Sequence, residues 1–420
     1  MNTPEGHASN TVTAADLDLS RWIRPGASIV WGQAGGEPEA LTRALVAQRA
    51  VLGPVSVTVG FSLTDTLLPE HADRIRIRSY CASGTNRALA RAGVLEVLPV
   101  PYSWLPGALA QVDVLMLHLP PARPDGRYDL GLMQEYIAPL IPRARVILAE
   151  VNAQMPSVPG MADIGPEQIT HIVETSRPLR VLHHPAPGAA EQAIGAHVAG
   201  MIEDGAVLQM GLGQVPEAVL ASLGGHRDLG IHSGVIGDSV ATLTEAGVIT
   251  NARKARDRGV SVTGWLLGSR QIYDFAHRNP GVRLCPSFYT HDPAVLSGHD
   301  RFVAINSAVE VDLTGQVNAE VAGGQYIGSV GGAAEFLRGA HGSRGGLPII
   351  ALPATVGRSG ASRIVARLNG PVSTPRSEAG LFVTEHGIAD LRGRTLAERR
   401  RLMIEIAAPE HRAALDAAAP

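Results

Sequence analysis

Chemistry in this chain is concentrated where glycines meet the start of a helical pattern. In Gly211-Leu212-Gly213-Gln214-Val215-Pro216 an apolar run ends in a glycine turn that opens a helix. Such a turn offers unpaired backbone N–H groups and the positive end of the helix dipole, which suit an anion or a carbonyl oxygen turning negative. It is not a Walker loop, since the Gly-Lys-Ser/Thr ending is missing, and it is not GxGxxG. A second glycine-rich stretch runs Ser329-Val330-Gly331-Gly332-Ala333-Ala334-Glu335 toward Arg338, and a third runs Leu352-Pro353-Ala354-Thr355 toward Arg363. The glycine pair allows a ligand close to the backbone. Arg338, Arg358 and Arg363 suit phosphates, although surface arginines and structural glycines fit the same letters. Cys285 stands near His291 and invites a thiol nucleophile, but a buried strand cysteine is the commoner case.

The elements that must carry these residues repeat. Ser28 to Ala47 and Ala206 to Leu223 share one construction: an apolar run, a glycine turn, then Pro-Glu-Ala (Pro38 and Pro216) in the first turn of a helix. Two similar α/β halves follow. The turn-rich His183-His184-Pro185-Ala186-Pro187-Gly188 divides them, giving domains 1–187 and 188–420. Strands are expected at 112–119, 145–151, 260–267, 301–313 and 347–352. Helical patterns lie at 191–202, 269–278 and 395–407. The alternation predicts parallel or mixed sheets flanked by helices.

Composition bounds the rest. The chain has 420 residues, 45% hydrophobic and 18% charged, ample for two buried cores. With a net charge of -3 and no basic block, nucleic acid and anionic membranes are disfavoured as partners. Two distant cysteines, Cys81 and Cys285, make neither a disulfide framework nor a zinc site. The polar start MNTPEGHASNTVTAAD lacks a signal-peptide pattern, and no run approaches the roughly 18 apolar residues of a membrane span. A cytoplasmic location is expected.

From Gly211 to Ala407 the chain resembles the acetyl-CoA hydrolase/transferase family, in particular the single-chain CoA-transferases acting on 4-hydroxybutyrate or butyrate. The stretches that carry the resemblance are LGIHSGVIGDSV (229–240), EAGVITNARK (245–254), INSAVEVDLTGQV (305–317), VGGAAEFLRGA (330–340), GGLPIIALPAT (345–355), SRIV (362–365) and LFVTEHGIADLRGRTLAERRRLMIEIA (381–407). In the first half, DGRYDLG (125–131) and AEVNAQMP (149–156) fall where the family has counterparts. The resemblance implies two tandem CoA-transferase-type α/β domains of similar topology, with the active site between them. It also implies a coenzyme A thioester as substrate, a homodimer or higher homo-oligomer, and no metal or redox cofactor.

In that family a glutamate in a His-Ser/Thr-Glu segment attacks the acyl-CoA and later carries CoA as a thioester. Here the segment reads His232-Ser233-Gly234, so the nucleophile's position holds a glycine. The family's Asn-Pro-type amide corresponds to His291 in Thr290-His291-Asp292-Pro293. The resemblance assigns Gly211, Gly213, Gln214, Gly331 and Gly332 to the acyl and oxyanion site. It assigns Ala333, Arg338, Pro353, Ala354, Thr355 and Arg363 to coenzyme A. Asp238, Glu245, Glu320 and Glu335 are acids that the family also has beside its own nucleophile, and each reads as structural. The missing glutamate favours hydrolysis or C–C cleavage of a CoA thioester by water, with His291 or His232 as base. Relatives of the wider fold without the glutamate act as ring-opening hydrolases or decarboxylases. Conventional CoA transfer to a small carboxylic acid such as acetate is the alternative, and a non-catalytic CoA-ester binder is a third. No motif supports a sugar-phosphate isomerase.

Overall fold

A computed structural model describes residues 17–109, 111–183, 185–378 and 380–418. The polar N-terminal stretch and His184 of the interdomain turn lie outside them, as does the side chain of Arg358.

The first half is built on a seven-stranded sheet. Its strands are β1 (Ser28–Trp31), β2 (Val55–Val59), β3 (Ile75–Ser79), β4 (Leu95–Val97), β5 (Val114–Leu119), β6 (Val146–Asn152) and β7 (His171–Thr175). Every pairing is parallel, in the order β4-β3-β2-β1-β5-β6-β7. The interior strands β5 and β6 are buried at every position and mostly apolar, with His118, Glu150 and Asn152 as their buried polar residues. Helix α1 (Glu39–Leu52) covers one face through Leu41, Leu45 and Leu52, and it ends at Gly53 with φ +76°. Each leucine so buried contributes about 1.5–3 kcal/mol.

The second half carries a six-stranded sheet: β8 (Val207–Met210), β9 (Gly230–Ile231), β10 (Phe302–Asn306), β11 (Leu347–Ala351), β12 (Leu381–Thr384) and β13 (Gly387–Asp390). The order is β9-β8-β10-β11-β12-β13, parallel except for the closing β12–β13 hairpin. Helices α2 (Ala189–Ala199), α3 (Gln214–Ala221) and α4 (Ala333–Gly342) pack around it. The architecture is thus a mixed α/β fold with two main sheets flanked by helices and several smaller sheets of two or three strands beside them.

The duplicated strand–turn–helix units differ in detail. Pro216 lies in the first turn of α3, whereas Pro38 immediately precedes α1. Two expected strands divide. The run 301–313 becomes β10 and a separate strand Glu310–Asp312, and 260–267 becomes Ser261–Thr263 and Trp265–Leu266 on either side of Gly264. An apolar run records burial but not a change of sheet.

The halves interlock. The segment after Leu130 runs into the second half: Gln134 N–H donates to the Gly264 carbonyl at 3.0 Å, and Leu266 N–H to the Leu132 carbonyl at 3.0 Å. Leu132, Met155 and Val158 belong to the hydrophobic core around β8 and β10. Conversely, Val235, Trp265 and Leu267 join a core of the first half.

Candidate active site

In an open parallel sheet the strands' carboxyl ends leave a crevice where ligands bind. Here both sheets turn those ends toward one cavity of about 210 Å³. Tyr80 follows β3, while Gln209, Met210 and Gly211 close β8 and Asn306 closes β10. Gly331, Gly332 and Ala333 bring the N-terminus of α4 to the same space. Tyr102, Glu135, Gly234, Trp265, His291 and Phe336 complete the wall. A larger groove of about 600 Å³ lies against Ser28, Ser56, Thr58, Arg76 and Arg78. There Arg76 and Arg78 are already paired with Glu96, so size alone does not locate the chemistry.

His291 ends the short helix Ser287–Thr290, just before the helix Pro293–Ser297 that Asp292 caps. Its ring lies between Phe336 and Tyr102, with centroids 4.4 and 5.0 Å away. Nδ1 is 2.8 Å from the Thr290 hydroxyl, which itself donates to the Pro286 carbonyl at 3.4 Å. That hydroxyl therefore accepts from Nδ1–H, leaving the Nε2 lone pair available. Burial pushes the imidazole down to about 3, so it is neutral at physiological pH.

Two glycines make room for this ring. A Cβ on Gly332 would lie 2.3 Å from His291 Cδ2, and one on Gly234 would lie 3.1 Å from Cε1. Gly331 needs glycine for another reason, its φ of +59°. The first N–H groups of α4 have no partner within their helix, so they can receive a carbonyl oxygen gaining charge.

The remaining residues singled out in the sequence are scattered around this centre. His232 does not line the cavity: it is fully buried against Tyr289 and His299, with Nδ1 3.3 Å from His299 Nε2. Gly213 and Gln214 lie beyond the cavity, the Gln214 amide donating to the Ala186 carbonyl at 3.0 Å. Pro353, Ala354 and Thr355 follow β11, outside the cavity wall, where Ala354 N–H donates to Glu385 at 2.8 Å. Arg363 is half-buried, donates to the Ala308 carbonyl at 3.2 Å, and leaves its Nε unpaired. Arg338 is on the surface, paired with Glu378 at 2.9 Å.

Of the four weighed acids, Glu245 is exposed at a helix end and the other three have structural partners. Asp238 accepts from Ser269 and Ile272 N–H. Glu320 accepts from Tyr326 and Ser373, and Glu335 from the Ser103 hydroxyl of the first half. Cys285 is buried, and desolvation pushes its thiol up to about 12. Among the described residues no group of three or more His, Cys, Asp or Glu is placed to hold a metal ion. Nor is any helix there long and apolar enough to cross a membrane.

Glu135 is the residue that sequence reasoning passed over. Its carboxyl is buried, with Oε2 accepting from the Gln33 amide at 2.6 Å and Oε1 without a partner. Gln33 also binds the Tyr102 hydroxyl at 3.1 Å and receives the Tyr80 hydroxyl at 2.7 Å. A lone acid inside the apolar stretch Leu130–Ile141 was the available signal.

Residues 13–176 match the acetyl-CoA hydrolase/transferase N-terminal domain, and residues 268–419 match the C-terminal domain. The 4-hydroxybutyrate coenzyme A transferase of Clostridium kluyveri is 37% identical over 399 residues, 92% of each chain. An acetyl-CoA hydrolase of Neurospora crassa is 25% identical over 70% of this chain and 62% of its own length. The crystal structure of RipA from Yersinia pestis superposes with a TM-score of 0.91 at 33% identity, covering 95% of this chain and 94% of that one. With both domain models matched in order and these relatives aligned along nearly its whole length, the chain belongs to the acetyl-CoA hydrolase/transferase family of enzymes.

Proposed function

We propose that this enzyme cleaves an acyl-CoA with water, by hydrolysis of the thioester or by breaking a C–C bond of the acyl group, without a covalent intermediate at residue 234. One observation carries the reading: Gly234 has no side chain, and the His291 imidazole packs against the point where one would begin, 3.1 Å from a Cβ placed there. His291 Nε2 is the acceptor for the water, with the α4 N-terminus at Gly331 and Gly332 receiving the acyl oxygen. Coenzyme A runs past Ala333 toward Pro353, Ala354 and Thr355. There Arg363, whose buried Nε has no hydrogen-bond partner, and Arg338 are the cations for its phosphates. The enzyme works in the cytoplasm as a homo-oligomer, as the family resemblance implies.

Conventional transfer to a carboxylic acid is the second reading, favoured by the transferase names of relatives such as that of C. kluyveri. Acceptor dependence separates the two. Free CoA released from acyl-CoA without acetate supports water-dependent cleavage. Turnover only with acetate, through a borohydride-sensitive enzyme–CoA thioester, overturns it.

A further inference from the structure

The carboxylate missing at Gly234 has a counterpart from the other half of the molecule. Glu135 Oε1 lies 3.1 Å from the point where a Gly264 Cβ would stand, and the Gly234 carbonyl oxygen lies 2.8 Å from that same point. The bare Cα of Gly264 thus admits the Glu135 side chain to the Gly234 backbone. Gln33 fixes one carboxyl oxygen and leaves the other without a partner. Tyr102 links the two sides, with its hydroxyl on Gln33 and its ring 5.0 Å from His291. A shielded oxygen without a hydrogen bond is costly, and water or substrate entering the cavity relieves that cost. Burial also raises the proton affinity of this carboxyl well above the ordinary range. His291, held neutral down to about 3, orients a water but retains a proton poorly.

We propose that Glu135 is the catalytic base of the water-dependent reaction, standing in at the acyl site for the carboxylate absent from Gly234. The inference rests on the hydrolytic reading above. Glu135 takes a proton from water as the water oxygen bonds to the thioester carbonyl carbon, and the carbonyl electron pair moves onto its oxygen at the α4 N-terminus. When the C=O re-forms, the C–S bond breaks and the proton passes from Glu135 to the sulfur. The products are a carboxylic acid and CoA, and no further reactant is consumed.

The test compares wild type, Glu135→Gln and Glu135→Asp with acetyl-CoA and butyryl-CoA, without acceptor, across pH. Wild type is expected to release CoA with a kcat/KM that rises as Glu135 ionises. Glu135→Gln should lose about 100-fold or more in kcat with KM nearly unchanged, and its rising limb should vanish. Glu135→Asp should keep a displaced limb, and it carries the test if the Gln variant does not fold. A Gln or Asp variant with wild-type kcat and an unmoved limb overturns the base while leaving acceptor-free hydrolysis standing. Wild type that turns over only with acetate overturns the hydrolytic reading and the base together. A single turnover in oxygen-18 water that labels the Glu135 carboxyl makes it a nucleophile and also overturns the base.

Discussion

The imidazole of His291 crowds position 234: a Cβ on Gly234 would lie 3.1 Å from Cε1 and 3.2 Å from Nε2, so the ring would have to give by a few tenths of an ångström. The two identities are therefore sterically coupled. Gly234→Glu alone should show weak exchange, because its Cβ presses on the ring. Gly234→Glu with His291→Asn installs the pair that the family resemblance implies, and acetate-dependent acyl exchange should rise at least about tenfold over the single variant, or about 1.4 kcal/mol of barrier. Following labelled acetate into acetyl-CoA checks this.

Gly332 is held by space rather than by its backbone angle: φ is −102°, but an added Cβ would lie 2.3 Å from His291 Cδ2. Gly332→Ala should cost about 1–3 kcal/mol in urea unfolding. It should also lower turnover by displacing the ring, whereas Gly224→Ala, with open space around it, should not.

Four buried histidines set the acid limit, with His232 among them held well below its ordinary value by burial. Burial pushes His118, His291 and His299 down from 6.5 to about 4, 3 and 4. Below about 6.5 the unfolded chain binds protons that the folded chain refuses, so stability should fall from there toward pH 4. His299→Asn should flatten this slope, as urea midpoints between pH 7 and 4 will show.

Glu135 has the opposite sign. Its folded proton affinity is raised by desolvation, so the unfolded chain ionises first and folding is penalised as pH climbs past the ordinary carboxyl value. Glu135→Gln should therefore be more stable than wild type at pH 8, with the advantage shrinking toward pH 4. Paired melting curves measure it.

The arginines should separate in a binding assay. Arg363, half-buried with an unpaired Nε, should weaken acyl-CoA binding about tenfold when changed to Ala, the scale of one hydrogen bond to a charged group. Arg338 is 57% exposed and engaged by Glu378, so Arg338→Ala should change stability by less than about 1 kcal/mol and binding by a smaller factor.

How far the sequence reached depended on distance along the chain. The alternation of apolar runs and glycine turns made the two α/β halves legible, and Gly234 and His291 stood out because their surroundings resemble a known site. Both line the cavity. His232 is only two residues from Gly234, yet it faces His299, since neighbours along a chain need not share a pocket. Glu135 was invisible for a different reason. Its partner Gln33 is 102 residues away, and its approach to Gly234 passes over Gly264, a meeting that only tertiary packing creates.

The threading of Leu132 and Met155 into the second half's core, with Glu135 on the same segment, bears on how such enzymes diversify. Neither half is a self-contained cassette. A chimera joining residues 1–187 of this chain to the latter part of a relative would lose matched packing and bring Glu135 against a foreign partner at position 234. A working chimera would therefore need matched changes on both sides of the seam between the halves.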